Sequence, residues 1–213
     1  MITKLENIAK DIRKDIIESL SEAGSGHLGA SLGLADIFSV LYFNELKHNP
    51  KYPQMKNRDK LVLSIGHVAP VLYASLANAG YFSKKELFSL RKINSKLQGH
   101  PHKDCGLPGI ETSSGSLGQG LSISVGMALA DKLDNINRRI FCIMGDGEIQ
   151  EGQVWEAAMS ASHHNLNNII AIIDRNMLQI DGSTKNVMEI EPLKDKWEAF
   201  GWNVYSCDGN NIT

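Results

Sequence analysis

The 213-residue sequence predicts an α/β fold, a parallel sheet with helices on both faces. Short, continuous apolar runs at 61–65, 140–144 and 169–173 read as strands. Strands covered on both sides lose the polar–apolar alternation of half-exposed ones. Between them lie segments whose apolar residues recur every three or four positions, the period of an amphipathic helix. Such alternation of strands and helices points to a helix-covered parallel sheet.

Each element has its own signal. Residues 2–20 place Leu5, Ile8, Ile12, Ile16 and Leu20 on one helical stripe, and Gly24-Ser25-Gly26 ends it. A second helix is expected over 31–46, with Leu34, Ile37, Phe38 and Leu41 inward. Asn49-Pro50 and Pro53 then break the chain. After the strand at 61–65 a helix runs over 69–79, and Ser83 with Glu86 has capping-box spacing that starts another at Lys84. Residues 94–116 have little period and much Gly, Pro and His; a loop this long in a compact domain is usually functional. Helices at 117–133, 152–164 and 192–199 and a last strand at 203–206 complete the order. No repeat or linker interrupts it, so a single domain over 1–213 is expected.

Hydrophobic residues make up 42% and charged ones 22%, enough to bury a core. The formal net charge of −2 gives no basic field for nucleic acid or an anionic membrane. No apolar run approaches the roughly 18–20 residues of a membrane span. The acid-rich N-terminus lacks a signal-peptide core, so a soluble cytoplasmic protein is expected. Cys105, Cys142 and Cys207 are far apart with no CxxC spacing, which predicts free buried thiols rather than a zinc site.

The sharpest local signal is Gly145-Asp146-Gly147-Glu148, directly after the strand at 140–144. Ligands of open parallel sheets bind beyond the carboxyl ends of the strands. The next strand ends at Asp174 and delivers Asn176, and consecutive strands usually lie side by side. A hard divalent cation takes about six oxygens, often one or two carboxylates with phosphate oxygens and water. Asp146, the Asn176 amide, a backbone carbonyl and two diphosphate oxygens would nearly fill that shell. The flanking glycines admit backbone N–H groups to a diphosphate, and the helix from about Gly152 adds a favourable dipole end. Alone, an Asp-Gly pair is more often a turn; the preceding strand and the Asn on the next exit change that balance.

Gly145-Asp146-Gly147 followed by Asn176 after 28 residues resembles the thiamine-diphosphate motif, and four further segments resemble transketolase. These are Ser25-Gly26-His27-Leu28-Gly29 with Ser31-Leu32-Gly33; Leu63-Ser64-Ile65-Gly66-His67 with Leu72-Tyr73; Gly99-His100-Pro101 with 109–120 (GIETSSGSLGQG); and 145–152 (GDGEIQEG). The resemblance implies a thiamine-diphosphate-binding fold of the diphosphate-side (PP) type. It implies Mg²⁺, with Ca²⁺ or Mn²⁺ as alternatives, held by the side chains of Asp146 and Asn176 and the carbonyl of Leu178. His27, His67 and His100 would line the substrate channel, His67 also touching the cofactor. Gly115, Ser116 and Leu117 match the segment beside the aminopyrimidine, and Ile180 and Asp181 one beside the thiazolium. Glu151 matches a buried interface acid linking paired active sites, or is simply a first-turn Glu favoured by the helix dipole. Ser116 stands where the family usually has proline, and Arg175 where many members have Asn. His163-His164 carries no motif and is read as structural.

By resemblance the chain would be the N-terminal subunit of a transketolase of the pentose phosphate pathway. It would move a two-carbon ketol unit between sugar phosphates. The glutamate that acts on the aminopyrimidine belongs to a pyrimidine-binding domain, expected on a C-terminal partner subunit in a heterotetramer with twofold self-association. Family domains also run past 203–206 to a further histidine, which leaves full-length subunit, fragment and truncated chain open. Alternatives are a deoxyxylulose-phosphate synthase-like subunit, a transketolase for sulfo- or branched sugars, and a non-catalytic cofactor-binding scaffold.

Overall fold

A computed structural model describes all of residues 1–213. The helices and strands, in chain order, are α1 (Ile2–Ala23), α2 (Gly29–Gly33), α3 (Ala35–Val40), β1 (Lys60–Leu63), α4 (Ala69–Ala79), α5 (Gln119–Leu133), β2 (Ile140–Gly145), α6 (Gly152–His163), β3 (Ile169–Asp174), β4 (Leu178–Gln179), β5 (Gly182–Ser183), α7 (Thr184–Val187) and α8 (Leu193–Ala199). They form two compact units, each discontinuous in sequence. The first holds Met1–Asp59, Gly66–Gly115 and Asp208–Thr213; the second holds Lys60–Ile65 and Ser116–Cys207.

The first unit is helical. α1 buries Leu5, Ile12, Ile16 and Leu20 of the expected stripe, with Ala9 buried where Ile8 is only half-buried, and stops where Gly24 takes a left-handed conformation (φ 65°). The glycine carries no Cβ to oppose that conformation, and its N–H caps the carbonyls of Leu20 and Ser21. The single helix expected over 31–46 is instead α2, α3 and a π-helical turn at Leu41–Glu45. Two glycines, Gly29 and Gly33, weaken the first part. The Leu46 N–H reaches back to the Leu41 carbonyl rather than to residue 42, which widens the last turn. The helix expected from Lys84 is a 3₁₀ segment, Lys84–Ser89, with the Ser83 hydroxyl accepting from the Lys85 N–H. Most of 94–116 is irregular, with one 3₁₀ turn at Lys103–Cys105.

The second unit holds the parallel sheet, in the order β1-β2-β3. Lys60 pairs with Ile140 and Ile140 with Ile169, so the three strands run in step. Ile140, Cys142 and Met144 from one side of β2 join Leu121 and Val125 of α5 and Val154, Ala158 and Ala161 of α6 in one buried cluster. Phe141 and Ile143 on the other side of β2 are buried as well. That explains the unbroken apolar run. Leu121 is fully buried in this cluster. Leu121→Ala is expected to cost about 2–5 kcal/mol, read from the midpoint of a urea unfolding curve.

Two further expectations fail, one at the end of the chain and one over the cysteines. Residues 203–206 form no strand and join neither sheet. Local packing holds them instead, Trp202 Nε1 donating to the Ala158 carbonyl and Val204 lying against the cluster. The expectation of three buried thiols holds only for Cys142, whose thiol burial pushes up to about 12; Cys105 is half-buried and Cys207 exposed. No helix is long and apolar enough to cross a membrane.

Candidate active site

In the second unit, the exits of β2 and β3 are bonded into one structure. Gly145 pairs with Asp174, and the Asp146 N–H donates to the Asp174 carbonyl at 3.1 Å. The Asp146 side chain turns inward, and the residue is 1% exposed. Its Oδ1 accepts from the Gly147 N–H at 2.8 Å and its Oδ2 from the Met177 N–H at 2.6 Å. One carboxylate thus fixes both its own turn and the loop after β3, where Met177 is held at φ 64°. Asn176 Nδ2 donates to Asp174 Oδ2 at 3.2 Å, and its Oδ1 accepts from the Leu178 N–H at 2.9 Å. The amide is oriented from both ends.

β4 and β5 form a two-stranded hairpin after this loop, with Leu178 opposite Ser183. Ile180, at its tip, is 99% exposed, and Leu178 is 65% exposed. The hairpin is held over the Gly-Asp-Gly turn: a Cβ on Gly147 would stand 3.1 Å from Gln179 Cβ. Gln150 Nε2 donates to both Gln179 Oε1 and the Met188 carbonyl, each at 2.7 Å.

The charges here are unbalanced. Burial raises the Asp146 carboxyl above its usual range against the backbone N–H bonds from Met177 and Gly147. Burial raises Asp174 too, offset by the Asn176 hydrogen bond and reinforced by the Asp146 charge. The nearby Arg175 is ion-paired to Glu191. A buried acid and a half-buried one, neither ion-paired, beside an oriented amide oxygen suit a hard divalent ion. No three His, Cys, Asp or Glu side chains gather to hold a metal. A cation would therefore need the amide and a carbonyl beside the carboxylate, the oxygen-rich set Mg²⁺ accepts. The residues present fit the group.

Glu148, 2% exposed, is a further buried acid, visible in the sequence only as one letter of a motif. It accepts from Ser64 Oγ, from the Gly118 N–H at 2.8 Å and from the Gly145 N–H at 3.1 Å. Glu151, at the exposed start of α6, carries no side-chain cap bond. Gly118 fits there because a Cβ would stand 2.8 Å from Glu151 Cβ, and Gln153 Nε2 holds the Leu117 carbonyl at 3.0 Å. Ser116 is exposed and Leu117 half-buried.

In the first unit, the histidines of three sequence-distant motifs come together. The His27 and His67 rings lie 5.0 Å apart, centroid to centroid. A Cβ on Gly115 would stand 3.2 Å from the His100 ring, and one on Gly66 would stand 2.6 Å from the Gly115 nitrogen. Glycine at both positions lets the 66–68 turn, the 114–115 backbone and His100 pack against one another. The Ser114 hydroxyl is buried there without a partner. Arg58, its side chain largely covered, forms an ion pair with Glu111 that anchors the same loop. Sequence reasoning missed that pair, which joins residues 53 apart.

Burial lowers His67, helped by the charges of His27 and His100; burial also lowers His100, helped by His27 and Arg91. Both imidazoles are therefore neutral at pH 7, able to donate and accept hydrogen bonds. Because the folded state binds its protons less tightly than the unfolded chain, these two groups make stability rise with pH through the window just below about 6.5. Histidine NMR titration should place both midpoints below that value, and thermal melts should lose stability as pH falls through it.

A family profile described as the transketolase, thiamine diphosphate binding domain matches residues 5–213. The chain is 46% identical over 97% of its length to a 6-deoxy-6-sulfo-D-fructose transketolase subunit of Clostridium sp. (strain MSTE9), covering 75% of it. It is 40% identical over 99% of its length to an apulose-4-phosphate transketolase subunit of Phocaeicola vulgatus, covering 74% of that protein. The crystal structure of transketolase from Campylobacter jejuni superposes with a TM-score of 0.93 at 38% identity, over all of this chain and 34% of the longer one. The chain belongs to the transketolase family, in its thiamine-diphosphate-binding part.

Proposed function

We propose that the chain is the diphosphate- and metal-binding subunit of a split transketolase. It transfers a two-carbon ketol unit from a ketose phosphate to an aldose phosphate, together with a C-terminal subunit carrying the pyrimidine-binding domain. The observation that carries this reading is the joined exit of β2 and β3, where the Asp146 carboxylate binds the loop presenting Asn176 and Leu178. Asp146, Asn176 and the Leu178 carbonyl hold Mg²⁺, or Ca²⁺ or Mn²⁺ in its place. Gly145, Gly147 and the start of α6 face the diphosphate. His67, Gly115, Ser116, Leu117 and Ile180 contact the rest of the cofactor.

Bound thiamine diphosphate supplies the electron sink for breaking the carbon–carbon bond of the ketose. The chain's own residues bind and orient it. His27, with the neutral imidazoles of His67 and His100, hydrogen-bonds the sugar hydroxyls and carries protons on and off its oxygens. Glu151 belongs to the contact between the two halves of a twofold heterotetramer. The cytoplasm and the pentose phosphate pathway are the setting that fits a soluble, reduced sugar-phosphate enzyme.

Calorimetric titration with thiamine diphosphate, with and without Mg²⁺, tests the binding reading: metal-dependent binding is expected, and none under either condition would sink it. A sugar panel assayed with the partner subunit separates ordinary ketose phosphates from sulfo-sugars and branched sugars. The similarity to the Clostridium subunit, whose name specifies a sulfo-sugar, makes that comparison the first to run.

A further inference from the structure

We propose that Glu148 is a positioning residue that sets the spacing between the metal–diphosphate turn and the start of α5. The inference rests on the thiamine-diphosphate reading and goes one layer behind the ligands. Three chain segments converge on this one buried carboxylate. The Gly145 N–H, at the end of β2 and one residue before Asp146, donates to its Oε2 at 3.1 Å. The Gly118 N–H, one residue after Leu117, donates to its Oε1 at 2.8 Å. Ser64, just after β1, donates its hydroxyl to the same Oε1 and accepts the Gly120 N–H at 3.0 Å.

The packing leaves little room for adjustment. A Cβ on Gly120 would stand 2.3 Å from Ser64 Cβ, and one on Gly145 would stand 3.0 Å from Ile65 Cγ2. The arrangement also takes up amide groups at the start of α5. A helix N-terminus attracts anions through such free N–H groups. With Gly118 and Gly120 bonded to Glu148 and Ser64, α5 is turned to internal bracing, and α6 is the helix left to meet a diphosphate. Groups of this kind orient ligands without touching them, and their loss commonly weakens binding about 10- to 100-fold.

Glu148→Gln and Glu148→Ala separate this role from a general contribution to folding. A glutamine keeps the shape but turns an NH₂ toward either the Gly145 N–H or the Gly118 and Ser64 donors, so one side of the brace is lost. Alanine loses both. Thiamine diphosphate affinity, titrated into the purified chain in the presence of Mg²⁺, should weaken about 10-fold for Gln and about 100-fold for Ala. Amide exchange at Gly118 and Gly145 should quicken in the same order. Ile12→Val, in the buried face of α1, serves as the destabilised control and should leave the affinity unchanged. A lowered melting temperature with parental affinity in both Glu148 variants would overturn the positioning role. Failure of the unsubstituted chain to bind the cofactor at all would overturn the underlying reading instead.

Discussion

Asp146→Ala is expected to abolish metal-dependent binding of thiamine diphosphate, an effect of at least about 100-fold on affinity. The carboxylate has two tasks in the folded chain. It would give the cation its only formal negative charge among the three proposed protein donors, and it already holds the loop that carries the other two. Its Oδ2 accepts the Met177 N–H one residue from Asn176 and one from Leu178. Alanine removes the charge and frees the loop together.

Asp146→Asn separates the two tasks. The amide keeps one backbone bond of the two and loses the charge, so metal binding should still fall by at least about 10-fold. Apo stability should move little, within about 1 kcal/mol, because relief from burying a carboxylate offsets one lost hydrogen bond. Calorimetry for affinity and chemical unfolding for stability read the two effects independently. Equal metal affinity in the parent and both variants would remove Asp146 from the metal site.

The legibility of that site in the sequence has a physical basis. Asp146 and Asn176 each sit where an apolar strand gives way to turn residues, and both features are local. The parallel register then brings the exits together, since β2 and β3 pair from Ile140 and Ile169 up to Gly145 and Asp174. The histidines are also local signals, each after a glycine, although the 5.0 Å approach of His27 to His67 could not be read from spacing. Glu148 and Ser64 were hidden because their partnership spans 84 residues and depends on which way two side chains point. Asp174 was visible only as the end of a strand, its hold on Asn176 being a matter of rotamer.

The errors are equally physical. Residues 203–206 have a strand's local composition, but a strand exists only with a neighbour to bond, and Tyr205 there is 92% exposed. The 31–46 helix has the right apolar stripe, yet the tertiary fold imposes breaks that periodicity does not record. The first falls after Gly33, and the second is the wide turn that the Leu46 N–H closes on the Leu41 carbonyl. Local pattern fixes which face is inward more firmly than it fixes where a helix is cut.

Residues 1–213 alone should show no ketol transfer, and mixing with a chain that supplies the pyrimidine-binding domain should restore it. The acids at the β2–β3 exits explain why no substitute proton donor is at hand. Asp146 is bonded to two backbone N–H groups, Asp174 to Asn176, and Glu148 to Ser64, Gly118 and Gly145. Each is committed to holding the fold of the site. Glu151 has no side-chain cap bond but lies exposed at the start of α6, where water screens it. General acid–base assistance from a well-placed group is worth about 10²- to 10⁴-fold. The added partner is therefore expected to raise the rate by at least that factor, measured as aldose consumption with a ketose phosphate donor and saturating cofactor. The restored rate should saturate with partner concentration and disappear in Asp146→Ala. Robust turnover by the lone chain would show that one of its own carboxylates does the work assigned to the partner, with Glu151 the first to substitute.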